Sequence, residues 1–158
     1  MPRVERLPVP EHALHARYSR DAGNHIDCYA TLIERRVTLA QFVEAFYTTW
    51  LFKLERWILD WAVSKPSHDG EARWLAHGDA QSFAAWTVED RAPDQLLMCD
   101  YLGATRSWLM VAPEADGVTR LYFGSVVTSR GRTYRWLLGF HKLYSRALLR
   151  VARKSLEA

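Results

Sequence analysis

Four strand-like runs separated by very short spacers constrain the fold more than any other feature of this sequence. The runs occupy 82–91, 95–102, 105–113 and 119–129, and the spacers between them read APD, GA and EADG. Spacers this short, rich in Pro, Gly and Asp, typically join neighbouring antiparallel strands. The stretch therefore predicts an antiparallel meander of four strands.

The segment before the meander predicts one strand followed by helices. Apolar residues alternate with other residues through HIDCYATLIER (25–35), which is typical of a strand; they are Ile26, Cys28, Ala30 and Leu32. Thr38 and Gln41 have the spacing of a capping box, so a helix is predicted over 38–47. Two further helices are predicted, over 50–63 and over 71–78.

The last run of the chain, about 134–156, predicts a long helix with two different faces. Its basic residues fall in one arc of a helical wheel, and they are Lys142, Arg146, Arg150, Arg153 and Lys154. The apolar residues occupy the remaining, wider arc. A curved antiparallel sheet needs another layer over one face, and this helix is suited to that place. We therefore predict an α+β fold in which a curved antiparallel sheet is covered by a long C-terminal helix.

The N-terminal region differs in character from the rest of the chain. Residues 1–22 contain three Pro and show no clear period, so we predict an N-terminal arm there and a single domain over 23–158. Several predicted strands carry apolar residues on both faces. This pattern indicates either an oligomer, such as a homodimer, or cover from the N-terminal arm.

Composition excludes several classes of protein. Apolar residues make up 49% of the 158-residue chain, which is ample for a folded core and excludes disorder. Apolar runs are far shorter than a membrane span and the N-terminus lacks a signal-peptide core, so we predict a cytoplasmic protein without membrane insertion. The net charge is +3, but the basic helix face lacks interleaved aromatic residues, which argues against nucleic acid as a partner.

Recognisable motifs for chemistry are absent from the sequence. It contains no metal-ligand spacing, no nucleophile elbow, no phosphate loop and no dinucleotide fingerprint, so we predict no metal, no cofactor and no assigned catalytic residue. Cys28 and Cys99 are far apart and do not form a C-x-x-C pair, so free thiols are expected. The sequence does not decide whether the protein is an enzyme.

The order of elements over residues 25–156, together with the strings FKLERWIL, TRSWL, YFGSVV and FHKLYSRALL, resembles a known superfamily. It is similar to a bacterial branch of the START-like (SRPBCC) proteins, whose helix-grip fold is shared by birch-pollen-allergen relatives and polyketide cyclases. The resemblance implies a cavity between the sheet and the last helix that takes apolar molecules. The superfamily commonly has six strands after the helices, whereas four are counted here. It shares no catalytic signature, so no residue role is carried over.

Glu55 is an anomaly in the helix predicted over 50–63. A helical wheel places this carboxylate among apolar residues, where burial is costly unless the charge is paired or neutralised. Arg106 is the first candidate partner and His141 the second. A structural ion pair, a proton-transfer pair at a cavity and a rotated helix with Glu55 at the surface all remain open.

Three further residues are singled out by their surroundings. His141 lies in the apolar arc of the last helix, where it is a hydrogen-bonded core residue, a ligand contact or an acid–base group. Tyr144 in the same arc is either core or cavity wall. Gly124 lies inside a strand, which predicts a bulge or the close approach of another group, and its neighbour Ser125 is a candidate to face the cavity.

The function predicted from these features is the binding of a small apolar or amphipathic molecule between the sheet and the C-terminal helix. The expected ligand-binding residues are Glu55, Trp57, Trp61, Trp86, Arg106, Trp108, Ser125, His141 and Tyr144. One alternative is a cyclase, dehydratase or isomerase that moves protons with Glu55 and His141. The other is a ligand-free domain with a filled core that acts through its surface.

Overall fold

The computed structural model describes residues 3–49, 82–83, 86–100, 105–128 and 135–158. At 82–83, 86, 100 and 135–144 the description is of the main chain alone. The helices expected over 50–63 and 71–78 lie outside the described residues.

A seven-stranded, fully antiparallel sheet forms the centre of the fold. Its strands are β1 (Glu5–Arg6), β2 (His25–Ile33), β3 (Ser82–Phe83), β4 (Trp86–Ala92), β5 (Gln95–Asp100), β6 (Thr105–Ala115) and β7 (Val118–Val127). They lie side by side in the order β1-β2-β7-β6-β5-β4-β3. The meander predicted from the short spacers is therefore present, and the early strand β2 returns to pair with the last strand, β7.

The strand count differs from the expected one at two places. The run predicted as a single strand over 82–91 contains two strands, because Phe83 lies opposite Trp86 in an antiparallel pair. The two-residue strand β1 was not predicted, since a pair this short has no periodicity to detect. At the β6–β7 turn the chain reverses at Asp116 and Gly117, and Gly117 adopts a φ of 72°, which favours glycine.

Helix α1 (Leu39–Tyr47) begins with the predicted capping box. The Thr38 hydroxyl accepts a hydrogen bond from the Gln41 amide at 3.2 Å, and the Gln41 side chain accepts one from the Thr38 amide at 3.0 Å. Two amides at the start of the helix, which have no partner within the helix, are thereby satisfied. The helix buries Phe42, Val43 and Phe46 against the sheet.

The long C-terminal helix α2 (Arg135–Glu157) extends over the predicted range and crosses the same face of the sheet as α1. Its described inner side buries Leu148, Leu149 and Ala152 together with Ser145, whereas Arg146 and Arg150 are exposed as the wheel predicted. At its end, Arg153 donates to the Leu32 carbonyl at 2.9 Å, and Arg35 donates to the Leu156 carbonyl. Cations at these places also complement the negative end of the helix dipole.

Both faces of the sheet are buried, and each has its own core. On the helix side, residues of β2, β5, β6 and β7 pack against α1 and α2. On the other side, Cys28, Leu97, Trp108 and Met110 pack against residues 7–18 of the N-terminal region. A 3₁₀-helix, Leu14–Arg20, lies in that region. We call residues 7–20 the N-terminal strap. The double-sided apolar pattern leaves an oligomer or cover from the N-terminal arm open, and in the described residues the strap packs on this face.

The predicted fold class is also confirmed. The protein is α+β, with a curved antiparallel sheet gripped by a long C-terminal helix, which is the helix-grip arrangement. Within the described part of the chain, no helix combines the length and the apolar character needed to cross a membrane.

Replacing Thr38 by Ala should destabilise the protein, because the Gln41 amide then loses its acceptor at the start of α1. The expected loss in the free energy of unfolding is about 1 kcal/mol, measured by urea denaturation. Thr38→Ser, which keeps the hydroxyl, is the matched control and should lose much less. An equal loss in both variants would contradict a capping role.

Candidate functional site

A row of small polar residues crosses the helix side of the sheet. Asp27 on β2 lies opposite Ser125 on β7, and Ser125 lies opposite Ser107 on β6. The next row toward the C-terminal end of α2 consists of large side chains: Tyr29, Phe123 and Leu109. The side chains at this level of the sheet are therefore smaller and more polar than those of the adjoining row.

The row belongs to the helix side because side chains alternate along each strand. Asp27 is two residues from Tyr29, Ser125 is two from Phe123, and Ser107 is two from Leu109, and all three large residues belong to the helix-side core. Two members of the row are almost closed to solvent, since Asp27 is only 2% exposed and Ser125 is fully buried, whereas Ser107 is half-buried. On α2, which crosses this face, Ser145 is also fully buried.

The Asp27 carboxylate is the electrostatic centre of the row. Its Oδ1 accepts from the Ser125 hydroxyl at 2.7 Å and from the Ser125 amide at 2.9 Å. Its Oδ2 lies 3.2 Å from Nε2 of His25, whose side chain is 16% exposed. A buried carboxylate is tolerated only when such hydrogen bonds replace its hydration. The arrangement therefore keeps a hydrogen-bonding group at a depth where most neighbours are apolar.

An open groove lies along the outer edge of the sheet near this row. Its volume is about 370 Å³, and it is lined by Arg6, Leu7, Pro8, Val9, Ile26 and Asp27. The solvent boundary therefore comes close to the Asp27 end of the row.

Directly behind the row, His15 of the strap is inserted into the opposite face of the sheet. Its ring is fully buried and stacks on Trp108, with centroids 4.2 Å apart and planes 22° apart. Its Nε2 lies 2.9 Å from the main-chain carbonyl oxygen of Asp27. A carbonyl only accepts hydrogen bonds, so Nε2 carries the hydrogen and donates it. Asp27 thus contacts both sides of the sheet, with its carbonyl on one side and its carboxylate on the other.

Gly124 makes this insertion sterically feasible. A Cβ atom at that position would lie 2.5 Å from Nε2 of His15, 2.7 Å from the Asp27 carbonyl oxygen and 2.8 Å from a ring carbon of Trp108. Any other residue would collide with all three groups. The prediction of a close approach at Gly124 is confirmed, and the approaching group is an imidazole.

Burial keeps His15 neutral. Removing the ring from water lowers the pKa of His15 from 6.5 to about 4, although its hydrogen bond to Asp27 and the Asp27 charge oppose the shift. The second ring nitrogen, Nδ1, is buried without a hydrogen-bond partner. A proton added there would leave an unpaired donor and a charge in an apolar setting, which explains why the neutral form is favoured.

Gln95 connects the strap to the sheet through three hydrogen bonds of its side-chain amide. Its Oε1 accepts from the Leu14 amide and from the Trp108 indole N–H, both at 2.9 Å. Its Nε2 donates to the His12 carbonyl at 3.2 Å. The buried indole N–H therefore has a partner, as a buried Trp requires.

Charged groups hold the far end of the strap. The Tyr18 hydroxyl donates to Glu89 at 2.5 Å, and Glu89 also pairs with Arg106 at 3.2 Å. The Arg106 guanidinium lies over the Tyr18 ring, 4.8 Å from its centroid. Arg17 pairs with Asp90 nearby, and this bond lowers the pKa of the Asp90 carboxyl.

The structure separates the described members of the sequence-predicted site. Ser125 lies in the polar row on the helix side, as expected of a residue facing the last helix. Trp108 and Arg106 share a strand face, as the sequence indicated, but that face is the one covered by the strap. A molecule between the sheet and α2 would therefore not contact Trp108 or Arg106.

The remaining predicted site residues are only partly within the described structure. Trp86 has its main chain in β4, and His141 and Tyr144 have theirs in α2. Glu55, Trp57 and Trp61 lie outside the described residues. Their contacts with a ligand stay predictions.

Sequence reasoning missed Asp27, Ser107 and His15. For Asp27 a signal was present, because Tyr29 and Ile33 follow it at even spacing and mark the same strand face as apolar. Ser107 becomes informative only beside Ser125, and their pairing depends on strand register. His15 lies in a segment without a period, so no pattern marked it as buried.

Comparison with known proteins adds little to this description. No protein-family model matches the chain, and no curated protein matches it. Among solved structures, the chain is similar to CalU16 from Micromonospora echinospora, at 13% identity over 99% of this chain and 93% of that one, with a TM-score of 0.35. A likeness of this degree says nothing about ligand or reaction, so function is argued from this chain's own residues.

Replacing Gly124 by Ala should displace His15 and destabilise the protein. Overpacking of this kind costs about 1–3 kcal/mol in the free energy of unfolding, measured by urea denaturation. In a His15→Ala background, the same change should cost less, since one of the three collisions is gone. An equal cost in both backgrounds would show that His15 does not occupy the space over Gly124.

Proposed function

We propose that the protein binds a small amphipathic molecule between the sheet and helix α2, over the polar row of Asp27, Ser125 and Ser107. The observation that carries this proposal is the row itself. Small polar side chains occupy three paired positions at one level of the helix-side core, beside a row of large side chains. Ligand sites are commonly apolar with a few placed polar groups, and this row supplies such groups.

The chemistry of the row supports an amphipathic rather than a purely apolar ligand. The Asp27 carboxylate and the two serine hydroxyls suit the polar end of a molecule, and the adjoining row of Phe123 and Leu109 suits its apolar part. In this proposal the sequence-predicted residues Glu55, Trp57, Trp61, His141 and Tyr144 complete the walls, and their part rests on sequence alone. Binding requires no proton transfer, so the proposal makes no claim of catalysis.

The first test is native mass spectrometry of the purified protein, compared with its denatured mass and followed by solvent extraction. A retained amphipathic molecule is the expected result. The neutral dye Nile red provides a second probe, and its fluorescence should rise on binding to protein from which such a molecule has been extracted. A protein that is empty as purified and that also fails to bind the dye would contradict the proposal.

Filling the row should abolish binding without unfolding the protein. Ser107→Leu adds an apolar side chain on the helix side without removing a hydrogen bond of Asp27, and Nile red affinity should fall at least about tenfold, roughly the 1.4 kcal/mol of one lost contact. Ala112→Leu, on the other face of the same strand, is the matched control and should bind normally. Circular dichroism and thermal unfolding check that both variants are folded. Equal affinity in the two variants would show that the ligand does not bind over the row.

A further inference from the structure

We propose that the N-terminal strap is an acid-released cover: protonation of His15 detaches residues 7–20 from the sheet while the sheet and its helix-side core stay folded. The strap then uncovers the apolar face formed by Cys28, Leu97, Trp108 and Met110. The release is inferred without recourse to the proposed ligand site, which lies on the opposite side of the sheet.

Geometry makes His15 the group on which docking of the strap depends. It is the side chain of the 3₁₀-helix that enters the sheet, with its ring flat on Trp108 and its Nε2 on the Asp27 carbonyl. Protonation places a hydrogen on Nδ1, which is buried and has no hydrogen-bond partner among the described residues. Gly124 and Trp108 leave the ring no space to turn that nitrogen toward water. The protonated ring is therefore accommodated by leaving the sheet.

A negative charge facing His15 would stabilise the protonated ring in its docked position and so oppose release. Asp27 carries the one such charge among the groups described next. From β2 the His15 ring meets Asp27, whose carboxylate favours the protonated ring but is outweighed by desolvation, and Cys28, whose thiol stays neutral because burial raises its pKa to about 12. From β7 it meets Gly124, beyond which lies Tyr122, whose pKa is also raised by burial. From β6 it meets the uncharged Trp108.

The sign of the pH dependence follows from the direction of the shift. The docked ring has a pKa of about 4 and a released ring the ordinary 6.5, so the released state binds the proton over this interval. Docking is complete above pH 6.5 and weakens as the pH falls toward 4. Between pH 7.5 and pH 5 the release equilibrium should shift on the order of 30-fold. Asp90 stays ionised in this interval, because Arg17 holds its pKa below 3.8.

The Leu14 amide reports docking directly, since it donates to Gln95 across the interface. Its hydrogen exchange in the full chain, followed by NMR and corrected for the intrinsic effect of pH, should accelerate on the order of 30-fold from pH 7.5 to pH 5. Amides of β6 and β7 should keep their protection. Loss of protection in strap and sheet together would overturn the proposal, because it would mean global unfolding, and so would an unchanged Leu14 amide.

His15→Gln removes the titrating group but places an amide nitrogen where Nε2 can still donate to the Asp27 carbonyl. Its Leu14 exchange should lose the acid dependence, whereas the matched control His12→Gln, at an exposed position of the same segment, should keep it. If the Leu14 amide of the His15→Gln variant already exchanges rapidly at pH 7.5, the wild-type protein provides the test. There, NMR titration of the His15 ring must coincide with loss of Leu14 protection, and a ring that titrates while Leu14 stays protected refutes the release.

Discussion

The fold depends on covering two apolar faces of one sheet, and among the described residues the two α-helices lie on one face and the N-terminal strap on the other. The second face carries Cys28, Leu97, Trp108 and Met110, and exposing a continuous apolar surface of this kind to water would be unfavourable. The chain covers this face with the strap, whose regular part is the single 3₁₀-helix Leu14–Arg20. Such a segment needs side-chain anchors, and His15 over Gly124, Gln95 and the Arg106–Glu89–Tyr18 cluster provide them.

Asp27 lies where the requirements of the two faces meet. Its carbonyl is committed to His15 on the strap side, and its carboxylate is committed to Ser125 and His25 on the helix side. A change of side chain at this one position would therefore be felt in both cores. The polar row and the inserted histidine are consequently parts of one local structure, although they lie on different faces of the sheet.

The sequence predicted those features whose cause is local. The capping box at Thr38 follows from two side chains three residues apart, and the long helix follows from its own periodicity. The close approach at Gly124 was predicted because glycine inside a strand has few other uses. The cover over the second face was foreseen as one of two options, since apolar residues on both faces of a strand require two layers.

Features that depend on the register between distant strands could not be predicted from local sequence patterns. Ser125 and Asp27 are 98 residues apart, and their pairing is decided by how β2 aligns with β7. One residue of slip would send both side chains to the opposite face. Arg106 contacts Glu89 of β4 and Tyr18 of the strap, and its suggested pairing with Glu55, which lies outside the described residues, stays a prediction.

The separation between the strap and its docking site also has a consequence for biosynthesis. His15 and Asp27 are only 12 residues apart, but Leu14 and Gln95 are 81 residues apart, so a ribosome must synthesise β5 and β6 before the strap can complete its contacts. Until then the strap's apolar residues lack Leu97, Trp108 and Met110 as partners. Docking of the strap is thus a late event in folding, and the interval before it is the period of greatest exposure to aggregation.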